Sequence, residues 1–178
     1  PKYMTCTELA QFLQQLEATA SRLEITAILA KLFQALKPDE VRSCCYLLQG
    51  ELLPAYEGLE LQVAVKTVIK ALESVLREAF ITNELGVDAL IEIAEESGDQ
   101  SQQRKLDKLV SLLQKLDPLA AKFVVRIVLG RLRLGFSDMT IMDALSWAVT
   151  GGKAERENLE DAYQKRADIG QLAEFYLK

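Results

Sequence analysis

The chain contains no histidine. That excludes Ser-His-Asp and Cys-His catalysis and removes the commonest ligand of a catalytic metal. Cysteine is scarce as well: Cys6, Cys44 and Cys45 make an odd count with no C-x-x-C spacing. The vicinal pair cannot readily bridge to itself within a helix, so reduced thiols in an intracellular protein are expected rather than a disulfide framework. Only four prolines and nine glycines interrupt 178 residues, which leaves long helices unobstructed. No apolar run approaches bilayer-spanning length and no charged-then-apolar leader opens the chain, so no membrane association is expected. Strand alternation is missing too, except at residues 131–134.

What is present is helical periodicity. Leu9, Phe12, Leu13 and Leu16 fall at i, i+3, i+4 and i+7. The pattern returns in Ile25, Ile28, Leu29, Leu32, Phe33 and Leu36, and again in Leu61, Val65, Val68, Ile69, Leu72, Leu76 and Phe80. Leu106, Leu109, Val110, Leu113 and Leu116 form another stripe, and 154–166 and 168–177 read as two short helices. Pro38 and Pro118 suit first helical turns, Asp117 suits an N-cap, and Gly50, Gly86, Gly130 and Gly151-Gly152 mark ends or turns. With 49% hydrophobic residues, the pattern predicts an all-α, compact globular protein of about nine or ten helices, as one domain or two small lobes.

A repeat with an offset of 80 residues runs through this pattern. Ser21, Leu29, Leu32, Gln34, Leu36, Pro38, Gly50 and Leu52 match Ser101, Leu109, Leu112, Gln114, Leu116, Pro118, Gly130 and Leu132. After a shift of seven residues, Thr67 to Leu72 echoes Thr140 to Leu145. Each half, about 19–80 and 98–150, is expected to hold a serine-capped helix, a proline-started helix, a glycine turn and another helix. Such a duplication favours a pseudo-twofold arrangement, which suits the local twofold symmetry of a double-stranded backbone.

The net charge is −5, but it is unevenly spread. From Arg104 to Arg133 eight basic residues face two acidic ones, while the remainder holds 13 basic and 24 acidic. A basic stretch on an acidic body can serve as a footprint for a polyanion, although a solvated helix face looks alike. Within it, Gly130-Arg131-Leu132-Arg133-Leu134-Gly135 brackets alternating arginines and leucines with glycines. An extended backbone would bury the leucines and point the arginines outward, with bare amides beside the glycines to grip phosphate. The spacing imitates a P-loop, but Phe136 stands where that motif needs lysine and a helix precedes it, so a P-loop is excluded. Ser97 to Lys105 offers a serine-started helix with Arg104 and Lys105 close by, and Thr19-Ala20-Ser21-Arg22 repeats the design with one arginine. Glu95-Glu96 and the acidic 155–161 stretch read as ordinary surface. Trp147, Tyr46 and Tyr56 read as core or rim packing, and no metal-ligand spacing is present.

Taken in order and spacing, these blocks resemble the N-terminal DNA-binding domain of ATP-dependent DNA ligases of the archaeal and eukaryotic type. The landmarks are Thr19 to Leu23, Tyr46 to Pro54, Tyr56 to Leu61, Ser97 to Lys105 and Gly130 to Leu145, and the likeness covers essentially the whole chain, roughly Cys6 to Lys178, so residues 1–178 are expected to form that one domain. One departure lies around Asn83 to Asp88, where the family often has a longer connection. The resemblance implies an all-helical domain that grips nicked double-stranded DNA along the minor groove on both sides of the break. It also implies closure of a ring with nucleotidyltransferase and oligonucleotide-binding (OB-fold) domains, which use ATP and Mg2+ to seal nicks in replication, repair and recombination. Carried over by position, Ser101, Arg104 and Lys105 contact phosphates, with Gly98 at the turn before them. Gly130, Arg131, Arg133 and Gly135 approach the groove, with Gly50 as the matching turn, and Thr19, Ser21 and Arg22 hold the opposite flank. The family's adenylylated lysine sits in a Lys-x-Asp-Gly motif, and this chain has no Asp-Gly dipeptide. A monomeric piece of a larger enzyme is therefore expected, holding no cofactor and sealing no nick alone. The competing reading is a helical protein-interaction scaffold without nucleic-acid binding.

Overall fold

The computed structural model describes residues 3–75 and 87–178. Among these the chain forms ten α-helices and no strand, as the periodicity predicts. They are α1 (Cys6–Glu17), α2 (Arg22–Ala35), α3 (Pro38–Leu48), α4 (Val65–Val75), α5 (Val87–Glu95), α6 (Ser101–Leu113), α7 (Pro118–Val128), α8 (Asp138–Thr150), α9 (Arg156–Lys165) and α10 (Ile169–Leu177). A single 3-10 turn, Ala55–Glu57, lies between α3 and α4. Leu76, Phe80, Gly86 and most of the Asn83–Asp88 connection lie outside the described residues.

Local chemistry explains most boundaries. Pro38 and Pro118 occupy the first turns of α3 and α7, where their missing N–H costs nothing. Asp117 caps α7 by accepting from the amides of Leu119 at 2.9 Å and Ala120 at 3.2 Å. Burial pushes its carboxyl up, but these bonds and one from the Thr7 hydroxyl outweigh it and hold the group below the usual range. Ser21 caps α2 as expected. Ser101 does not cap α6: Gln100 takes that place in a left-handed conformation, with φ of 59°, and Ser101 is the first helical residue. A second correction concerns Leu61, which lies in the loop before α4 instead of in the helix. Val65 and Ile69 of the same stripe remain 47% and 50% exposed.

The helices assemble into two compact units, each built from separated segments. The first contains Gln11–Gln49 and Arg133–Lys178 with the N-terminal Pro1–Met4, and the second contains Thr5–Ala10 and Gly50–Leu132. In the first, α2 packs on α8 and α3 on α10, while α9 meets both α8 and α10. Its core includes Leu29, Leu32 and Phe33 of α2 and Ile141, Met142 and Leu145 of α8, all essentially inaccessible. Each such side chain contributes about 1.5–3 kcal/mol by leaving water. A Cβ at Gly170 would come 2.5 Å from the Tyr46 ring, so glycine is what lets α10 lie against α3. There the Tyr46 hydroxyl donates to Asp168 at 2.6 Å and accepts from Arg42 at 3.1 Å. In the second unit α4 and α5 both pack on α6, around Val68, Ala71, Leu90, Ile93, Leu109 and Leu113. The two units thus exchange elements of the proposed repeat: α8 joins α2 and α3, whereas α4 joins α6 and α7.

Candidate nucleic-acid interface

The arginine loop begins at the end of α7. Gly130, with φ of 63°, lets its own amide donate to Ile127 O at 2.9 Å and the amide of Arg131 donate to Arg126 O at 2.7 Å. This pair of bonds closes the helix as a Schellman cap. Residues 131–134 then lie outside any helix, with Leu132 and Leu134 buried and Arg131 and Arg133 exposed. The alternation matches the expectation from sequence. Gly135, with φ of 76°, turns the chain toward α8. Neither arginine has an ion-pair or hydrogen-bond partner among the described residues, so both guanidinium groups are available to a ligand. The expectation of bare amides holds only in part. Those of Gly130 and Arg131 are consumed by the helix cap, while Arg133, Leu134 and Gly135 donate to nothing among the described residues.

Gly50 has a different reason to be glycine. Its φ is 80°, and a Cβ there would sit 3.1 Å from the carbonyl oxygen of Leu132. Close packing against the Leu132 carbonyl is enough to require glycine here.

The start of α2 holds Thr19, Ser21 and Arg22 in the first unit. The Ser21 hydroxyl accepts from the Glu24 amide at 3.4 Å, and the Thr19 hydroxyl accepts from the Ser21 amide at 3.1 Å. Thr19 also donates to the Glu24 carboxylate, so an acidic side chain already occupies part of this positive helix end. Arg22 leans the other way. Its guanidinium reaches the buried Asp143 carboxylate at 3.3 Å while remaining 61% exposed.

The start of α6, in the second unit, departs most from expectation. Gly98, with φ of 79°, makes the turn before Gln100. Lys105 is only 3% exposed, and its ammonium donates to the carbonyl of Leu61 at 2.9 Å. The sequence places Lys105 toward a phosphate; the structure instead turns it inward, where it satisfies a loop carbonyl. Arg104 remains partly exposed but folds back, donating to Glu96 at 2.6 Å and to the carbonyls of Asp99 and Ser97 at 2.8 Å each. Hydrogen bonds from Lys108 and Arg104 hold the Glu96 carboxyl below its usual range. At this end the cations staple a turn before they could grip an anion.

Three residues that sequence reasoning passed over gather around Arg22. Asp143 is wholly buried and also accepts from Lys153 at 3.0 Å and from Arg156. Burial pushes its carboxyl up, but hydrogen bonds from Lys153 and Arg156 outweigh it and leave the group below the usual carboxylate range. The available signal was an acidic residue inside the apolar run of α8, from Met139 to Leu145. Among the described residues no His, Cys, Asp and Glu cluster could hold a metal ion, and no helix is long and apolar enough to cross a membrane. Cys6, Cys44 and Cys45 are buried free thiols, and burial pushes those of Cys6 and Cys44 up to about 12.

The model of a family described as DNA ligase N terminus matches residues 5–84 and 86–146. A protein named DNA ligase 2 from Thermofilum pendens is 38% identical over 93% of this chain and 34% of its own length. A DNA ligase from Cenarchaeum symbiosum is 34% identical over 96% of the chain and 35% of its length. A probable DNA ligase from Aquifex aeolicus is 34% identical over 93% and 34%. The chain spans about a third of the length of these relatives. With an all-α fold and a family match over most of its residues, the chain belongs to the DNA ligase N-terminus family.

Proposed function

We propose that this chain is the DNA-binding domain of an ATP-dependent DNA ligase, holding nicked duplex DNA through its phosphate backbone along the minor groove. The observation that carries this reading is the loop from Gly130 to Gly135, which presents two exposed, unpaired arginines on a backbone pinned by two buried leucines. Rigid anchorage matters because a phosphate contact gains most when the cation need not be ordered on binding. Such contacts position the protein without reading bases, so little sequence preference is expected.

The chemistry belongs to the remainder of the enzyme. Nucleotidyltransferase and OB-fold domains would supply the adenylylated lysine, ATP and Mg2+, and this chain carries neither an Asp-Gly dipeptide nor, among its described residues, an acidic metal cluster. Its own residues bind and orient DNA. Nick sealing in replication, repair and recombination would follow from the whole enzyme, working inside the cell, with this domain acting as a monomer.

The test is binding of the 178-residue chain to a labelled nicked duplex and its intact counterpart across a salt series. Salt-sensitive binding supports the reading, because each neutralised phosphate releases counterion. Arg131→Ala with Arg133→Ala should lower affinity at least about tenfold on every sequence and flatten the log–log salt slope by about 2. Unchanged affinity in that double variant would remove the loop from the account. Failure of the unaltered chain to bind at low salt would favour a protein-interaction role.

A further inference from the structure

The turn between α8 and α9 carries cations that the arginine loop does not explain. Asp143 has no exposed side-chain surface, yet Arg22, Lys153 and Arg156 all converge on it, with exposures of 61%, 47% and 21%. All four residues belong to the first unit. Arg22 and Lys153 approach the same carboxylate oxygen, Oδ2, at 3.3 and 3.0 Å, which leaves their nitrogens no more than about 6 Å apart. A single phosphate group can bridge two cations at that spacing. Arg156 takes the other oxygen, Oδ1, and spends its Nε on Glu160. Arg22 and Lys153 each donate one hydrogen bond to Asp143, so most of their donors have no partner among the described residues.

This geometry is more than neutralisation of a buried charge. Arg156 alone, largely buried and doubly bonded, is enough to pair Asp143. Two further, mostly exposed cations drawn to the same carboxylate gain little from it, because exposed pairs contribute little to stability. Their mutual repulsion is tolerated only because the carboxylate lies beneath them. We propose that Arg22 and Lys153 form a second phosphate-binding site of the DNA interface, in the turn before α9, and that Asp143 is the positioning residue that holds the pair together.

This inference rests on the DNA-binding reading, and the salt series separates the two. Lys153→Gln leaves Arg22 and Arg156 to pair Asp143, so folding should be preserved. It should lower affinity for a nicked duplex about three- to tenfold and make the log–log salt slope shallower by about 0.9, one phosphate contact. Lys153→Arg should restore both. Asp143→Asn should also weaken binding although it makes the protein more positive, a sign that charge alone would reverse. If Lys153→Gln leaves affinity and slope unchanged while the Arg131/Arg133 double variant flattens the slope, the second site is wrong and the DNA-binding reading stands. If the unaltered chain binds no duplex, both fall together.

Discussion

The two helix entrances that the sequence aligns, at α2 and α6, use the same residue types for different ends. At α2 Ser21 caps the helix, and Arg22 stays largely exposed with a buried carboxylate as its tether. At α6 the matching Ser101 is inside the helix, Lys105 is buried on Leu61 O, and Arg104 closes over Ser97 and Asp99. A cation beside a helix start is thus not a ligand site by composition. It is available to a ligand only to the extent that the carbonyls and carboxylates of the fold leave its protons unspent. Arg131 and Arg133 keep theirs, because both are exposed and neither has a partner among the described residues.

Several substitutions would break or sharpen the contrast. The largest effect is expected at Asp143: Asp143→Asn should destabilise the chain by about 2–3 kcal/mol in denaturant unfolding, because the wholly buried side chain loses its charge-assisted hydrogen bonds from Lys153 and Arg156. The same residue gives a pH signature. Its folded-state carboxyl lies below the ordinary value, so its contribution is present above about pH 4 and is lost as pH falls toward and through the depressed folded value. Stability measured between about pH 5 and 2 should therefore fall less steeply in Asp143→Asn than in the unaltered chain.

Lys105→Met should cost about 1–3 kcal/mol, since it leaves the Leu61 carbonyl unsatisfied, and should leave duplex affinity unchanged. A loss of affinity with full stability would return Lys105 to the interface and erase the contrast between the entrances. Gly50→Ala should cost more than Gly130→Ala, about 2 against about 1 kcal/mol. Both have positive φ, but only Gly50 has an oxygen 3.1 Å from the new Cβ. Equal losses would mean that Leu132 yields freely.

The smallest pair is the most direct. Ser21→Ala should cost about 1 kcal/mol of thermal stability and Ser101→Ala less than about 0.5, because only Ser21 accepts an amide hydrogen bond as an N-cap. Equal costs would mean that the two entrances are capped alike after all.

Much of the fold was legible because helices announce themselves locally. Pro38, Pro118 and Asp117 set helix starts through their own backbone chemistry, and Gly130 closes α7 through its left-handed conformation. The loop from Arg131 to Leu134 was legible for the same reason, since alternation along an extended chain needs no tertiary information. Lys105 was not legible. Its charge argued for exposure, and the carbonyl that receives its ammonium lies 44 residues away. Asp143 was hidden in the opposite sense. An acidic residue in an apolar helix signals a partner, but Arg22, 121 residues earlier, could not be paired with it from sequence alone.

The sequence by itself determined an all-α chain, the helix boundaries that proline, aspartate and glycine impose, and an outward pair of arginines between two inward leucines. These follow from backbone geometry within a few residues. Only the tertiary structure decided that α8 joins α2 and α3 while α4 joins α6 and α7, and which cations remain free. Amphipathic stripes state that a face must be buried without naming its partner. A charged side chain is spent or spared according to which distant carbonyl or carboxylate that partner brings within reach.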